Sequence, residues 1–285
     1  MWYRVPDPRN VAILDPSALQ GWSRAELDVL SRKHRLAILD CLFAEVLMKD
    51  RGQAQTLLRK LVGIRCELVE SLGAHCTWEV ANGEPAGLLL NDKLFRGFPE
   101  RSAQRAICSL CERTELQHAQ FAEDFGTSID RPNEAQWEHF NSLVLKIHKD
   151  TEPGRSVRRA GQAEFLAAWR DALQGTAMRN LIRPHFEAFL NGFRTNSSPP
   201  PDAAAMMSEP WVAFRDFVGL LTYSHLNVAA NRTTFSHDRL NQRLDLHYLA
   251  LTGPGMHLVT RDSEMKRLAR VISPHSHVIG DPSET

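Results

Sequence analysis

The sequence predicts an α/β fold: a parallel sheet flanked by helices and interrupted by a large, mostly α-helical insertion. Three observations predict it. Short apolar runs with strand character occur only near the two ends, at 11–14, 36–39, 257–260 and 277–279. Between about 53 and 231, apolar residues recur at three- and four-residue steps, as amphipathic helices require. Neither terminal piece has enough strands for a stable sheet of its own, so the two ends must share one. The economical organisation is one discontinuous α/β unit, residues 1–52 and 232–285, with a helical insertion at 53–231. Two independent domains are the alternative.

Val11-Ala-Ile-Leu14 reads as a buried first strand tipped by Asp15, and Pro16 forbids ladder pairing beyond it. Ser23-Arg-Ala-Glu26 is a capping box for a helix reaching about Lys33. Leu36-Ala-Ile-Leu39 is a second strand, and Asp40 is placed to cap the helix Cys41–Met48, apolar except for Glu45. An acid in such a helix needs either solvent or a cation. Leu57, Leu58, Leu61, Ile64, Cys66, Leu68 and Leu72 suggest one long helix over 53–72, ended by Gly73. Residues 74–100 read as irregular, with Gly97-Phe-Pro a turn signal. Helical patterns follow at 101–124, 134–149, 160–176, 178–193 (kinked at Pro184) and 209–228. Asn196-Ser-Ser-Pro-Pro-Pro201-Asp202 reads as an exposed loop. The last stretch reads as a helix over 238–251, a Gly253-Pro254-Gly255 turn, a strand at His257–Thr260, a helix over 263–270 and a strand at His277–Ile279.

Composition narrows the function classes. The 285 residues are 43% hydrophobic, which suits an ordinary globular core. Basic and acidic residues number 34 each, so no global charge argues for nucleic acid, although a local basic groove is compatible with that balance. Five cysteines and no signal-peptide pattern predict reduced thiols and a cytoplasmic setting, and no apolar run is long enough to cross a bilayer. Cys108, Cys111 and His118 lack a second ligand pair at zinc spacing, so they read as helical core residues. A zinc-protease helix, a Gly-rich phosphate loop and a serine nucleophile elbow are all missing.

Four acids carry the chemical signal. Asp15 and Asp262 follow apolar strands, while Glu45 and Asp245 lie on the helices that flank them. In parallel α/β sheets, ligands gather beyond the carboxyl ends of the strands. Clustered carboxylates need a counter-charge, and Mg2+ or Mn2+, which prefer oxygen ligands, supply it. Such a cluster can hold one or two ions about 4 Å apart and activate water for in-line attack on a phosphodiester. Individually the acids have plainer readings: Asp15-Pro16 as a strand-ending turn, Asp245 as a solvated helix acid, Asp262 as an N-cap. Asn241 shares a helical face with Asp238 and Asp245, and either orients Asp245 or faces solvent. Lys49, Arg51, Arg59 and Lys60 form a basic stretch after Glu45, and Arg155, Arg158 and Arg159 form another; each is a nucleic-acid contact or simply solvated charge.

The order of these pieces resembles the PIN-domain nucleases. The matching segments are Val11-Ala-Ile-Leu-Asp15-Pro-Ser17, Phe43-Ala-Glu45-Val-Leu, Leu244-Asp245-Leu-His-Tyr-Leu-Ala-Leu and Leu258-Val-Thr-Arg-Asp262-Ser-Glu-Met. The resemblance covers about a third of the chain. It implies a parallel sheet with acids over its C-terminal edge and metal-dependent endonucleolytic cleavage, most often of RNA, with DNA an alternative substrate. It implies Asp15, Glu45, Asp245 and Asp262 as Mg2+ or Mn2+ ligands, Ser17 and Thr260 as supporting hydroxyls, and Glu264 as an auxiliary acid. The chain departs from the family in the 200 residues between Glu45 and Asp245. That insertion bears on the substrate and offers a surface for self-association or a protein partner. A non-catalytic scaffold that keeps the fold is the competing reading.

Overall fold

The computed structural model describes residues 2–4, 10–70, 94–120, 142–146, 149, 168–173, 175–191, 203–207, 212–229 and 240–285. The 196–202 loop and the Arg155–Arg159 stretch fall outside them, as do most of the helical patterns at 121–167.

The strands are β1 (Trp2–Arg4), β2 (Val11–Leu14), β3 (Arg35–Leu39), β4 (Cys66–Val69), β5 (Leu94–Phe98), β6 (His257–Val259) and β7 (His277–Ile279). They form one sheet in the order β1-β5-β4-β3-β2-β6-β7. The run β4-β3-β2-β6-β7 is parallel, while β5 is antiparallel to β4 and β1 antiparallel to β5. The chain therefore winds outward from β2 through β3 to β4, then restarts on the other side of β2 with β6 and β7. The point where winding reverses, between β2 and β6, is where parallel α/β sheets open a crevice at their carboxyl ends. β2 is buried throughout, as a strand covered on both faces must be.

The longer helices among the described residues are α1 (Pro16–Gly21), α2 (Arg24–Lys33), α3 (Asp40–Leu47), α4 (Arg51–Leu61), α5 (Glu100–Cys111), α6 (Thr176–Asn191), α7 (Val212–Ala229), α8 (Leu240–Leu251) and α9 (Ser263–Ile272). Helices α1 to α5 pack among themselves, and so do α6 to α9. The Ser23 capping box forms with both of its hydrogen bonds. Asp40 does not cap α3: it is already the first helical residue, Leu39 occupies the cap position, and no side chain bonds there.

The helix expected over 53–72 stops at Leu61. Gly63 takes φ of 77°, a left-handed value that ends the helix, and the chain re-enters the sheet as β4. Ile64, Cys66 and Leu68 keep a spacing that also suits alternation along a strand. Gly97, expected in a turn, lies within β5. A Cβ there would stand 2.0 Å from the Leu68 carbonyl oxygen, so only glycine lets β5 approach β4. The α/β unit thus runs past the boundary expected at residue 52 and takes in β4 and β5. No helix among the described residues is long and apolar enough to cross a membrane.

Candidate active site

The Asp15 side chain is set by its position as the last residue on the β2 ladder. Its backbone N–H donates to the Val259 carbonyl at 3.1 Å, and the Thr260 N–H donates to Ile279 at 3.0 Å, so the ends of β2, β6 and β7 lie level. Asp15 then turns into α1 as its N-cap, 2% exposed. Oδ1 accepts from Ser17 Oγ at 2.5 Å and from the Ala18 N–H at 3.0 Å, while Oδ2 accepts from Thr260 Oγ1 at 2.9 Å. A carboxylate has about four lone-pair sites. These bonds fill both on Oδ1 and leave one on Oδ2.

Ser17 and Thr260 also bind the other side of the crevice. The Asp262 N–H points at both hydroxyls, at 3.1 and 3.0 Å, and the Arg261 N–H reaches Ser17 Oγ at 2.9 Å. The two hydroxyls stand 3.2 Å apart. Residues more than 240 positions apart in sequence are thereby locked into one hydrogen-bonded knot. Thr260 is fully buried, so Thr260→Val should strip a donor from a buried carboxylate and lower stability by about 1–3 kcal/mol, read from urea unfolding. An unchanged midpoint would show that the knot contributes little.

Asp262 caps α9, its Oδ1 accepting from the N–H groups of Glu264 at 2.6 Å and Met265 at 2.9 Å. The N-cap reading of this residue therefore holds, and it leaves Oδ2 without a hydrogen bond among the described residues. Glu264 follows in the first turn of α9.

Asp245 is carried by α8, whose carbonyls at Tyr248, Leu249 and Ala250 are each satisfied. Thr252 donates to Tyr248, Ser273 to Leu249, and the buried Arg215 to Ala250. A helix end closed this way cannot fray, which fixes its rotation and height. Burial, then the charges of Asp15, Asp262 and Glu264, push the Asp245 carboxyl up to about 8. Burial, then the charges of Asp245 and Asp15, push Glu45 up to about 8 as well, with Tyr248 and Lys49 pulling the other way. Burial raises Asp15 too, offset in part by its hydrogen bonds from Ser17, Ala18 and Thr260. Acids from both ends of the chain thus feel one another in a region of low solvation. Among the described residues, however, no three such side chains stand close enough to grip one ion.

Tyr248 is a site residue that sequence reasoning passed over. It is fully buried and donates its phenol to Glu45 Oε1 at 3.4 Å. Its place three residues after Asp245, on one helical face, was the available signal. The Cys41 thiol bonds to the same phenol, and burial holds that thiol well above its ordinary value. Asn241 lies on α8, but its side chain is outside the described residues.

The basic stretch divides. Lys60 donates to the carbonyls of Leu19, Gln20 and Trp22 at 2.8, 3.0 and 2.9 Å, using all three N–H groups to close the C-terminus of α1. Arg51 bonds the Arg113 carbonyl at 3.0 Å and faces Glu115 at 3.5 Å. Arg59 is exposed on α4. Lys49 lies one turn beyond Glu45 and lowers its pKa through charge. Cys108 and Cys111 are half-buried on α5, while His118 Nε2 meets the Lys49 carbonyl at 3.1 Å. Comparison with known proteins gives no matching family model, no matching curated protein and no matching solved structure.

Proposed function

We propose that this chain is a PIN-like endonuclease dependent on Mg2+ or Mn2+, hydrolysing phosphodiester bonds in RNA, with a helical insertion following α5. The observation that carries the reading is the placement of acids from opposite ends of the chain around the crevice between β2 and β6. The donor set suits a hard cation, since it offers carboxylates and hydroxyls and neither imidazole nor thiolate at its centre. Asp15 would hold such an ion through Oδ2, with Asp245 and Glu45 beside it and Asp262 and Glu264 at the rim. When bound, the ion neutralises the clustered carboxylates and draws charge from the phosphoryl oxygens. Tyr248 keeps Glu45 turned toward the cluster, where that carboxylate is suited to orient water and take its proton. RNA as the substrate rests on the family resemblance.

A labelled single-stranded RNA, incubated with the full chain in Mn2+ and in EDTA, tests the reading. Cleavage in Mn2+ only, with a single-stranded or flap DNA left intact, is the expected result. DNA cleavage instead would move the substrate and keep the chemistry. The competing scaffold reading draws on the absence of any three-donor group among the described residues. It predicts no cleavage and no thermal shift with Mn2+.

A further inference from the structure

A cleft of about 530 Å3 between the end of α1, the end of α3 and the start of α4 is lined by Gln20, Lys49, Asp50, Gly52, Gln53, Thr56 and Leu57. We propose that it is the subsite for the nucleotide next to the cleaved phosphodiester of a single-stranded nucleic acid, with the Lys49 ammonium on that nucleotide's phosphate. This rests on the hydrolytic reading of the acid cluster and extends it to how the substrate is held.

Position is the first argument. Asp15 starts α1 and Gln20 lies near its end, a rise of about 7.5 Å. Glu45 and Lys49 are one turn apart, a rise of about 5–6 Å. Two separate elements therefore lead from the acids to this cleft over the length of a single nucleotide. Chemistry is the second. A strand entering a cluster of carboxylates must be drawn in by a cation that those acids have not neutralised. Lys60 and Arg51 are committed to backbone carbonyls, whereas no hydrogen bond or ion pair holds the Lys49 ammonium among the described residues. Gln20, Gln53 and Thr56 add uncharged groups that can meet sugar and base edges, and Leu57 adds an apolar floor.

The wall is also built to stay in place. The Met48 and Lys49 N–H groups donate to Ala44 and Val46, and the Lys49 carbonyl meets His118. Asp50 caps α4 through the Gln53 N–H at 3.0 Å. The turn that carries Lys49 is therefore fixed on both sides while its side chain stays available. The volume lies at the lower end of the range for ligand pockets, which takes one nucleotide and no duplex segment.

The test uses the full chain, a 5′-labelled ten-nucleotide single-stranded RNA read by fluorescence anisotropy across a salt series, and bis(4-nitrophenyl) phosphate as a diester that needs only the acids. Lys49→Ala should weaken RNA binding about tenfold and reduce the salt slope by about one. Arg32→Ala, on α2 just before the amino end of β3, should change neither. Unaltered binding and slope in Lys49→Ala, with the aryl diester cleaved by wild type, would overturn the subsite and leave the hydrolytic reading standing. Loss of binding in Lys49→Ala with no aryl diester hydrolysis by wild type would support the cleft and sink the hydrolytic reading. Equal affinity for a duplex of the same length, or no RNA binding by wild type, would also overturn it.

Discussion

Asp15→Asn is expected to reduce Mn2+-dependent cleavage by at least about a hundredfold while leaving the metal-free protein as stable as wild type, or more so, at pH 8. Replacing even an outer partner of a metal ligand usually costs about 10–100-fold, and Asp15 is placed as a ligand itself. The fold should tolerate the change. Asparagine is as good an N-cap as aspartate. Its amide oxygen can accept from the Ala18 N–H and Ser17 hydroxyl as Asp15 Oδ1 does, and its NH2 can donate to Thr260 Oγ1 in place of the bond that Oδ2 now accepts. It also removes a charge that burial disfavours. A purely structural acid would behave otherwise, with activity falling only as far as the melting temperature fell. Wild-type cleavage by the variant would end the nuclease proposal.

The second large effect concerns pH. Glu45 and Asp245 stand at about 8 in the folded chain, against ordinary values of 4.5 and 3.8. Between about pH 4 and 8 the folded protein therefore holds protons that the unfolded chain has released. Stability falls with pH wherever the native state binds more protons. The contribution is fully present below about pH 4 and lost by about pH 8. In EDTA, the melting temperature should drop steadily from pH 5 to pH 8.5, and Asp245→Asn should flatten that slope. Mn2+ needs deprotonated ligands and binds only the folded state, so its stabilising shift should be far larger at pH 8 than at pH 5.5. A metal-free melting temperature that is level or rises over this interval would contradict the mutual repulsion of these acids. Equal Mn2+ shifts at both pH values would place the ion elsewhere.

The ends of the chain were legible because their signals are local and agree with one another. An apolar run, an acid and a proline mark the exit of β2, and the Gly253-Pro254-Gly255 turn parts α8 from β6. The sheet's other half was not legible. In 53–72 the apolar spacing fits a helix and a strand equally, and only Gly63 inside the pattern hinted at a break. In β5, Gly97 reads as a turn former, because its real reason is a backbone contact with Leu68 that no local pattern encodes. At the site, Asp15 and Asp262 stood out beside strand ends and Glu45 and Asp245 on the flanking helices, while Ser17 and Thr260 came only from the family resemblance. Tyr248 did not stand out, since its hydrogen bond to Glu45 depends on how α8 is rotated against α3. Lys60 likewise looked like any surface cation until α1 was in place to receive it.

The pairing of β2 with β6 has a consequence for the life of the molecule. These neighbours are joined by more than 240 residues of intervening chain, and domains begin to fold while their C-terminal parts are still being made. A nascent chain can form β2, β3 and β4 early, yet it lacks Asp245, Thr260 and Asp262 until it has been made as far as α8 and α9. Any hydrolytic power at this crevice is thus withheld from partial products, so termination or cleavage between β4 and α8 would release fragments that lack Asp245 and Asp262.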